Sequence, residues 1–214
     1  MAQELKNNLV STAEGALALP RMTYEEFLER DDDRVAEWVD GEVILMGEPS
    51  LRHQLLVSFL GALLQHFVEA NKLGVVLPAP FQMRLRSRPS GRAPDILVVR
   101  REALSNLTSK YLDGPADVVI EVISPESRAR DRGDKYYEYE QAGVREYWLL
   151  DPIRNQAEFY RLGTDGIYVL VDAGSDGIFH SAILEGLWLR IEWLWQEPLP
   201  TLMTVLKEWG LTID

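Results

Sequence analysis

Apolar positions recur along this chain in two rhythms, and the changes between them mark the elements. In "SLRHQLLVSFLGALLQHFVEANKLG", Leu56, Phe59, Leu60, Leu63, Phe67 and Val68 keep a three-to-four spacing. That stripe predicts a long helix, with Gly74 as its C-cap. Before it, "AEWVDGEVILM" alternates on either side of Asp40-Gly41 and predicts a hairpin. "TYEEFLER" opens on a capping box, Thr23 with Glu26, and predicts a short helix. After the long helix, "VVLPAPFQMRLR" and "DILVV" read as two strands, the second introduced by Pro94. A loop over 102–116 then leads to "DVVIEVI", which is apolar on both faces. "SRARDRGDKYYEYEQAG" predicts a second helix ending near Gly143, and "REYWLLD" another buried strand. "EFYRLGTDGIYVL" reads as a hairpin, "GLWLRIEWLWQEPL" as a last strand and turn, and Leu199 to Gly210 as weakly helical. This order predicts an α/β or α+β fold, a mixed sheet with helices packed on it. No repeat or linker divides it, so the expected organisation is an N-terminal arm (1–20) and one domain (21–214).

Composition narrows the function classes. The chain has 214 residues, 46% of them hydrophobic, which suffices for one sizeable core. No apolar run reaches membrane-spanning length, and Glu4 and Glu14 interrupt the start where a signal peptide needs an apolar core. Zero cysteines exclude disulfides and thiolate metal sites and suit a cytoplasmic location. Three histidines make a histidine-rich zinc centre a poor expectation. The net charge of −12 opposes nucleic-acid binding, but its distribution does not. Residues 1–50 carry −8 and residues 146–214 carry −7, while residues 51–145 carry +3. Within that middle part, Arg84 to Arg101 holds six arginines and one acid, either a solvated face or an anion-binding surface.

Glu121 breaks the pattern of its strand. A carboxylate among Val118, Val119, Ile120, Val122 and Ile123 is costly to desolvate unless a cation or several donors meet it. Asp95 is a second acid in apolar surroundings, at the start of "DILVV". Two carboxylates brought together on neighbouring strands repel, and one protonates, unless a cation bridges them. Oxygen ligands with no cysteine or histidine nearby suit a hard ion, Mg2+ or Mn2+. On the following helix Asp131, Lys135 and Tyr139 share one face. A lysine there suits orienting a metal-bound water or stabilising a phosphate transition state. Taken singly, each residue has a plainer reading. Asp95 caps a turn, Glu121 pairs with an arginine such as Arg92, and Lys135 pairs with Asp131.

The ordered set, Pro94-Asp95, Glu121 in "IEVISP" and Lys135, resembles the PD-(D/E)xK nuclease superfamily. More closely, "EWVDGEVILM", His53, "APDILVV", "DVVIEVISPESRARDRGDKYYEYEQAGVREYWLLDP" and "EFYRL" are similar to the Uma2 family of restriction endonucleases, widespread in bacteria. These stretches cover most of residues 22–162. One departure stands out: E-x-K spacing puts the lysine at position 123, which is Ile123 here. The Uma2 resemblance instead implies a lysine on the helix, matching Lys135. It implies a restriction-endonuclease-like mixed sheet flanked by helices, and a Mg2+-dependent endonuclease acting on DNA. Asp95, Glu121 and the Val122 carbonyl would hold the metal, and Lys135 would position the water. Glu37 matches an acid beside the site and His53 a phosphate contact or base. Each has a plain alternative, a surface hairpin acid and a histidine partnering a nearby acid. Arg92, Arg128 and Arg130, with Arg84, Arg86, Arg88 and Arg132, are the expected phosphate contacts. A catalytically silent module of the same fold, binding nucleic acid or a protein through the tryptophan-rich tail (Trp188, Trp193, Trp195, Trp209), is the alternative. Because one site cuts one strand, a homodimer is expected for duplex DNA.

Overall fold

The computed structural model describes residues 10–11, 17–18, 21–31 and 34–211. Most of the expected arm therefore lies outside the described residues; within it β1 (Val10–Ser11) pairs antiparallel with β2 (Leu17–Ala18). Helix α1 (Tyr24–Leu28) starts at the expected capping box: Thr23 Oγ1 accepts the Glu26 N–H, and the Glu26 carboxylate accepts the Thr23 N–H. Strands β3 (Ala36–Val39) and β4 (Glu42–Leu45) form the expected hairpin. Asp40 and Gly41 both take positive φ, 49° and 90°, the turn geometry that follows strand twist. Ser50 caps α2 (Leu51–Ala70), whose apolar stripe is buried. The helix ends before Gly74, through Asn71 and the left-handed Lys72. Gly74 already belongs to β5 (Gly74–Pro78), where a Cβ would fall 2.0 Å from the Val99 carbonyl oxygen.

The stretch expected as one strand is two. Pro78 and Pro80 lack N–H donors and end β5, and β6 (Gln82–Leu85) then enters a different sheet. Strand β7 (Ser90–Arg92) carries no apolar pattern; β8 (Ile96–Arg100) is the expected buried strand. The expected 102–116 loop contains β9 (Tyr111–Asp113), and β10 (Val118–Val122) carries Glu121. The expected second helix is split at Gly133 into α3 (Arg128–Arg132) and α4 (Asp134–Ala142). There the backbone lies at φ −115°, ψ −94°, and a Cβ would meet the Ala129 carbonyl oxygen at 2.7 Å. Then follow β11 (Glu146–Asp151), the hairpin β12 (Gln156–Leu162) and β13 (Tyr168–Val171), the pair β14 (Ile178–His180) and β15 (Trp188–Arg190), and α5 (Leu202–Glu208).

Six strands form the central sheet in the order β13-β12-β11-β10-β8-β5. Within it β10 and β11 run parallel, and the other neighbours run antiparallel. A second sheet has the order β4-β3-β7-β6-β9. Alternation along β10 divides the core in two. Val118, Ile120 and Val122 pack toward α2 and the C-terminal segment, whereas Val119 and Ile123 pack with Tyr139 of α4 and with Met83 and Leu85 of the second sheet. Glu121 shares its parity with the second group. The tryptophan-rich tail is no exposed platform: Trp193 is buried, and Trp188, Trp195 and Trp209 pack against the α2 core. Among the described residues no helix is long and apolar enough to cross a membrane.

Candidate active site

Antiparallel pairing of β8 with β10, Ile96 opposite Ile120, sets Asp95 beside the end of β10. Asp95 Oδ2 accepts the Val122 N–H at 2.7 Å and lies 3.2 Å from His53 Nε2. His53 stands in the first turn of α2, where its own N–H is bound by the capping Ser50 side chain. Burial alone would lower the His53 pKa, but its bond to Asp95, with the charges of Asp95 and Asp131, raises it. Its Nδ1 is buried without a hydrogen-bond partner. A cleft of about 130 Å³ opens here. His53, Asp95, Glu121, Val122, Ser127 and Arg130 line it, together with residues 46–49.

Glu121 joins this cleft to a cluster of buried charges. Lys135, 0% exposed, places Nζ 2.8 Å from Glu121 Oε1, 2.9 Å from Glu37 Oε1 and 3.4 Å from Asp131 Oδ1. An ammonium has three donors, and three carboxylates surround this one. The Tyr139 hydroxyl also donates to Glu121 Oε1, at 3.0 Å. Asp131, Lys135 and Tyr139 thus share a face as their spacing predicts, despite the break at Gly133. Arg92 takes the remaining positions. Nη1 reaches Glu37 Oε2 at 2.8 Å, while Nε and Nη2 grip both oxygens of Glu138, at 2.8 and 2.7 Å.

Four buried acids (Glu37, Glu121, Asp131, Glu138) face two buried cations (Arg92, Lys135). The balance decides which acid yields its charge. Burial opposes the charge on Glu37, yet Lys135 and Arg92 outweigh it and bring its pKa down to about 2. Glu121 goes the other way. Burial and the neighbouring Asp131, Asp95 and Glu37 push it well above the usual carboxylate range, against the pull of Lys135. Burial also opposes the charge on Lys135, but the Glu121, Glu37 and Asp131 carboxylates hold it protonated.

The structure brings Asp95, Glu121, Val122, His53 and Arg130 to one cleft and sets Glu37 and Lys135 directly behind it. It removes Arg92 from the expected phosphate contacts, because its guanidinium is enclosed by Glu37 and Glu138. The arginine-rich stretch is not one free basic face. Arg84 pairs with Glu25 and lies over the Tyr24 ring, Arg86 grips Asp113, and Arg88 reaches Asp40 and Glu138. Arg128 pairs with Asp151 and Arg132 with Glu158. Of the seven expected contacts, Arg130 lines the cleft. Glu37 is not a surface hairpin acid, and the cation that pairs with Glu121 is Lys135, not Arg92. Glu138 went unnoticed in the sequence, although its place one turn after Asp134 on the Lys135 helix was open to the same spacing test. Among the described residues, no three His, Asp or Glu side chains form a ready metal cage.

Comparisons with known proteins bear on the fold and the family. An uncharacterized protein of Synechocystis sp. is 21% identical over 156 residues, covering 72% of this chain and 80% of its own length. The crystal structure of a "putative nuclease belonging to DUF820" from Anabaena variabilis superposes with a TM-score of 0.68 at 18% identity, covering 81% of this chain and 97% of that one. The likeness establishes the fold, a restriction-endonuclease-like mixed sheet flanked by helices. Residues 23–192 match the family model Uma2, described as "Putative restriction endonuclease". The chain therefore belongs to the Uma2 family.

Proposed function

We propose that this protein is a metal-dependent endonuclease that hydrolyses phosphodiester bonds in DNA, with Mg2+ or Mn2+ as cofactor. One observation carries the reading: Asp95 and Glu121, from neighbouring strands, line one open cleft, and Lys135 and Tyr139 hold Glu121 from behind.

The donors fit a hard divalent ion. The bonds to Asp95 fall on Oδ2 and those to Glu121 on Oε1, so Oδ1 and Oε2 carry none of them. The buried acids outnumber the buried cations by two, four against two, and Glu121 is driven toward its neutral form. A divalent cation supplies that missing charge. Mg2+ commonly takes one or two carboxylates and keeps several waters, so a ready three-acid cage is not required. Asp95, Glu121 and the Val122 main chain would hold it. When bound, such an ion supplies Lewis acidity and a more acidic water.

The protein's own groups do the rest. His53 and the Val122 N–H fix Asp95 Oδ2, which sets the orientation of that carboxylate. Lys135 fixes Glu121 Oε1 and keeps a positive charge next to the acid pair, where negative charge develops on phosphate. Arg130, which lines the cleft, would meet a phosphate oxygen. A twofold dimer would give two such sites for duplex DNA, its interface formed outside both the cleft and the tryptophan tail.

Calorimetric titration of Mn2+ into wild type and Asp95→Ala, with a plasmid-cleavage assay on both, tests the reading. Binding and cutting by wild type alone are expected. Wild-type protein that binds DNA but neither binds Mn2+ nor cuts would favour a silent module of the same fold. A single 24.4 kDa species in analytical ultracentrifugation would remove the dimer.

A further inference from the structure

Glu37 does not line the cleft. It is 0% exposed, and its oxygens are engaged: Oε1 by Lys135 Nζ at 2.9 Å and the Ala93 N–H at 3.4 Å, Oε2 by Arg92 Nη1 at 2.8 Å. No oxygen is left facing a metal or an attacking water. Arg92 is equally enclosed, with its fork closed on Glu138. Burying charges at this density is a poor way to gain stability. Desolvation of each ion offsets its pairing, and apolar residues of similar volume commonly serve as well or better. What such a network supplies is geometry.

The geometry links the parts of the cleft. Glu37 comes from β3, Arg92 and Ala93 from the segment that continues into Asp95, and Lys135 and Glu138 from α4. Lysine reaches its target on a flexible four-carbon stem, whereas the planar guanidinium of arginine holds carboxylates in a fixed plane. Arg92 therefore fixes Glu37 and Glu138. Glu37 in turn ties the Lys135 ammonium to the segment carrying Asp95. We propose that Glu37 and Arg92 are positioning residues, which set Lys135 Nζ against Glu121 in register with Asp95. This rests on the nuclease reading and assigns Glu37 a task other than holding metal or water.

The chain contains five lysines, and among those described Lys135 is the buried one. Nitrogen-15 spectra of the lysine ammonium groups should thus show one resonance protected from solvent exchange, absent in Lys135→Met. In Glu37→Gln and Arg92→Met its exchange should accelerate at least about tenfold, and kcat should fall roughly 10- to 100-fold with KM little changed, the range for groups that orient a metal site. Arg92→Lys retains the charge without the fork and should be intermediate; it also covers the case in which Arg92→Met does not fold. An unchanged resonance in folded Glu37→Gln and Arg92→Lys overturns the proposal. So does faster exchange with kcat intact, since the network would then be structural only. A wild type that shows the protected resonance but cuts no DNA sinks the nuclease reading instead, and leaves the placement of Lys135 supported.

Discussion

Glu121 and Glu146 are both buried glutamates in strands whose residues are all buried, β10 and β11, which lie side by side. Their surroundings differ in kind. Glu146 accepts from the Ala182 N–H at 2.7 Å, the Ser181 hydroxyl at 2.8 Å and the Trp148 indole at 3.1 Å, with Arg161 at 3.6 Å. Neutral donors fixed by the fold surround that carboxylate, and it pins the chain after β14 to the sheet. Glu121 instead meets a lysine and a tyrosine, amid the charges of Asp131, Asp95 and Glu37. One acid is completed by its fold, and the other is left wanting positive charge. Burial alone does not single out a candidate functional carboxylate; an unbalanced set of partners does.

The largest effect should come from Glu121→Gln. Cleavage should fall by at least about 10^3-fold, the scale of losing an electrostatic partner of the transition state. Mn2+ binding should weaken with it. Thermal unfolding should shift little, because the amide oxygen still accepts from Lys135 and Tyr139 and the Glu121 carboxyl is already driven toward its neutral form. Glu146→Ala should do the reverse. Three donors lose their acceptor, at about 1 kcal/mol each, so stability should drop by about 3 kcal/mol. For a chain of this size that lowers Tm by roughly 6–12 °C, with Mn2+ affinity of the folded protein intact. Equal destabilisation by the two substitutions would dissolve the contrast.

Acid sharpens it further. The Glu37 pKa is about 2 in the folded protein against an ordinary 4.5. Its contribution to stability is therefore fully present above about pH 4.5 and is lost as pH falls toward 2. Urea unfolding at pH 5 and pH 3 should show that loss in wild type, and Glu37→Gln should flatten it. The smallest effect concerns salt. Arg84, Arg86, Arg88, Arg92, Arg128 and Arg132 are engaged by acids, which leaves Arg130 of the seven expected phosphate contacts. The slope of log affinity for DNA against log salt should lie near about −1 to −3, and Arg130→Ala should make it shallower by about 1. A slope near −6 would mean that those arginines leave their acids on binding.

The sequence made much of this legible, for identifiable reasons. The capping box at Thr23, the Asp40-Gly41 turn and the α2 stripe are local signals, and local geometry decided them. Asp95, Glu121 and Lys135 were readable because each violates or punctuates its own pattern. The fate of the arginines was not. Whether Arg92 faces solvent depends on β7 pairing with β3, and three residues reading "SGR" hold no apolar pattern to announce that strand. Glu37 reads from the sequence either as an acid beside the site or as a hairpin surface acid, because alternation gives parity but not what covers each face. The break at Gly133 likewise depends on a backbone approach to Ala129 that no side-chain pattern encodes.

The charged cluster behind the cleft also bears on how the chain is made. Its members come from β3, the β7–β8 segment, β10, α3 and α4, spread from Glu37 to Tyr139. A ribosome adds residues from the N-terminus, so no early nascent segment contains a complete set. Glu37 leaves the tunnel some hundred residues before Lys135, and until α4 docks, its carboxylate has Arg92 and the Ala93 N–H as partners but not the Lys135 ammonium. The cluster is therefore complete only once most of the domain has been synthesised and folded, and no fragment ending before α4 can assemble it.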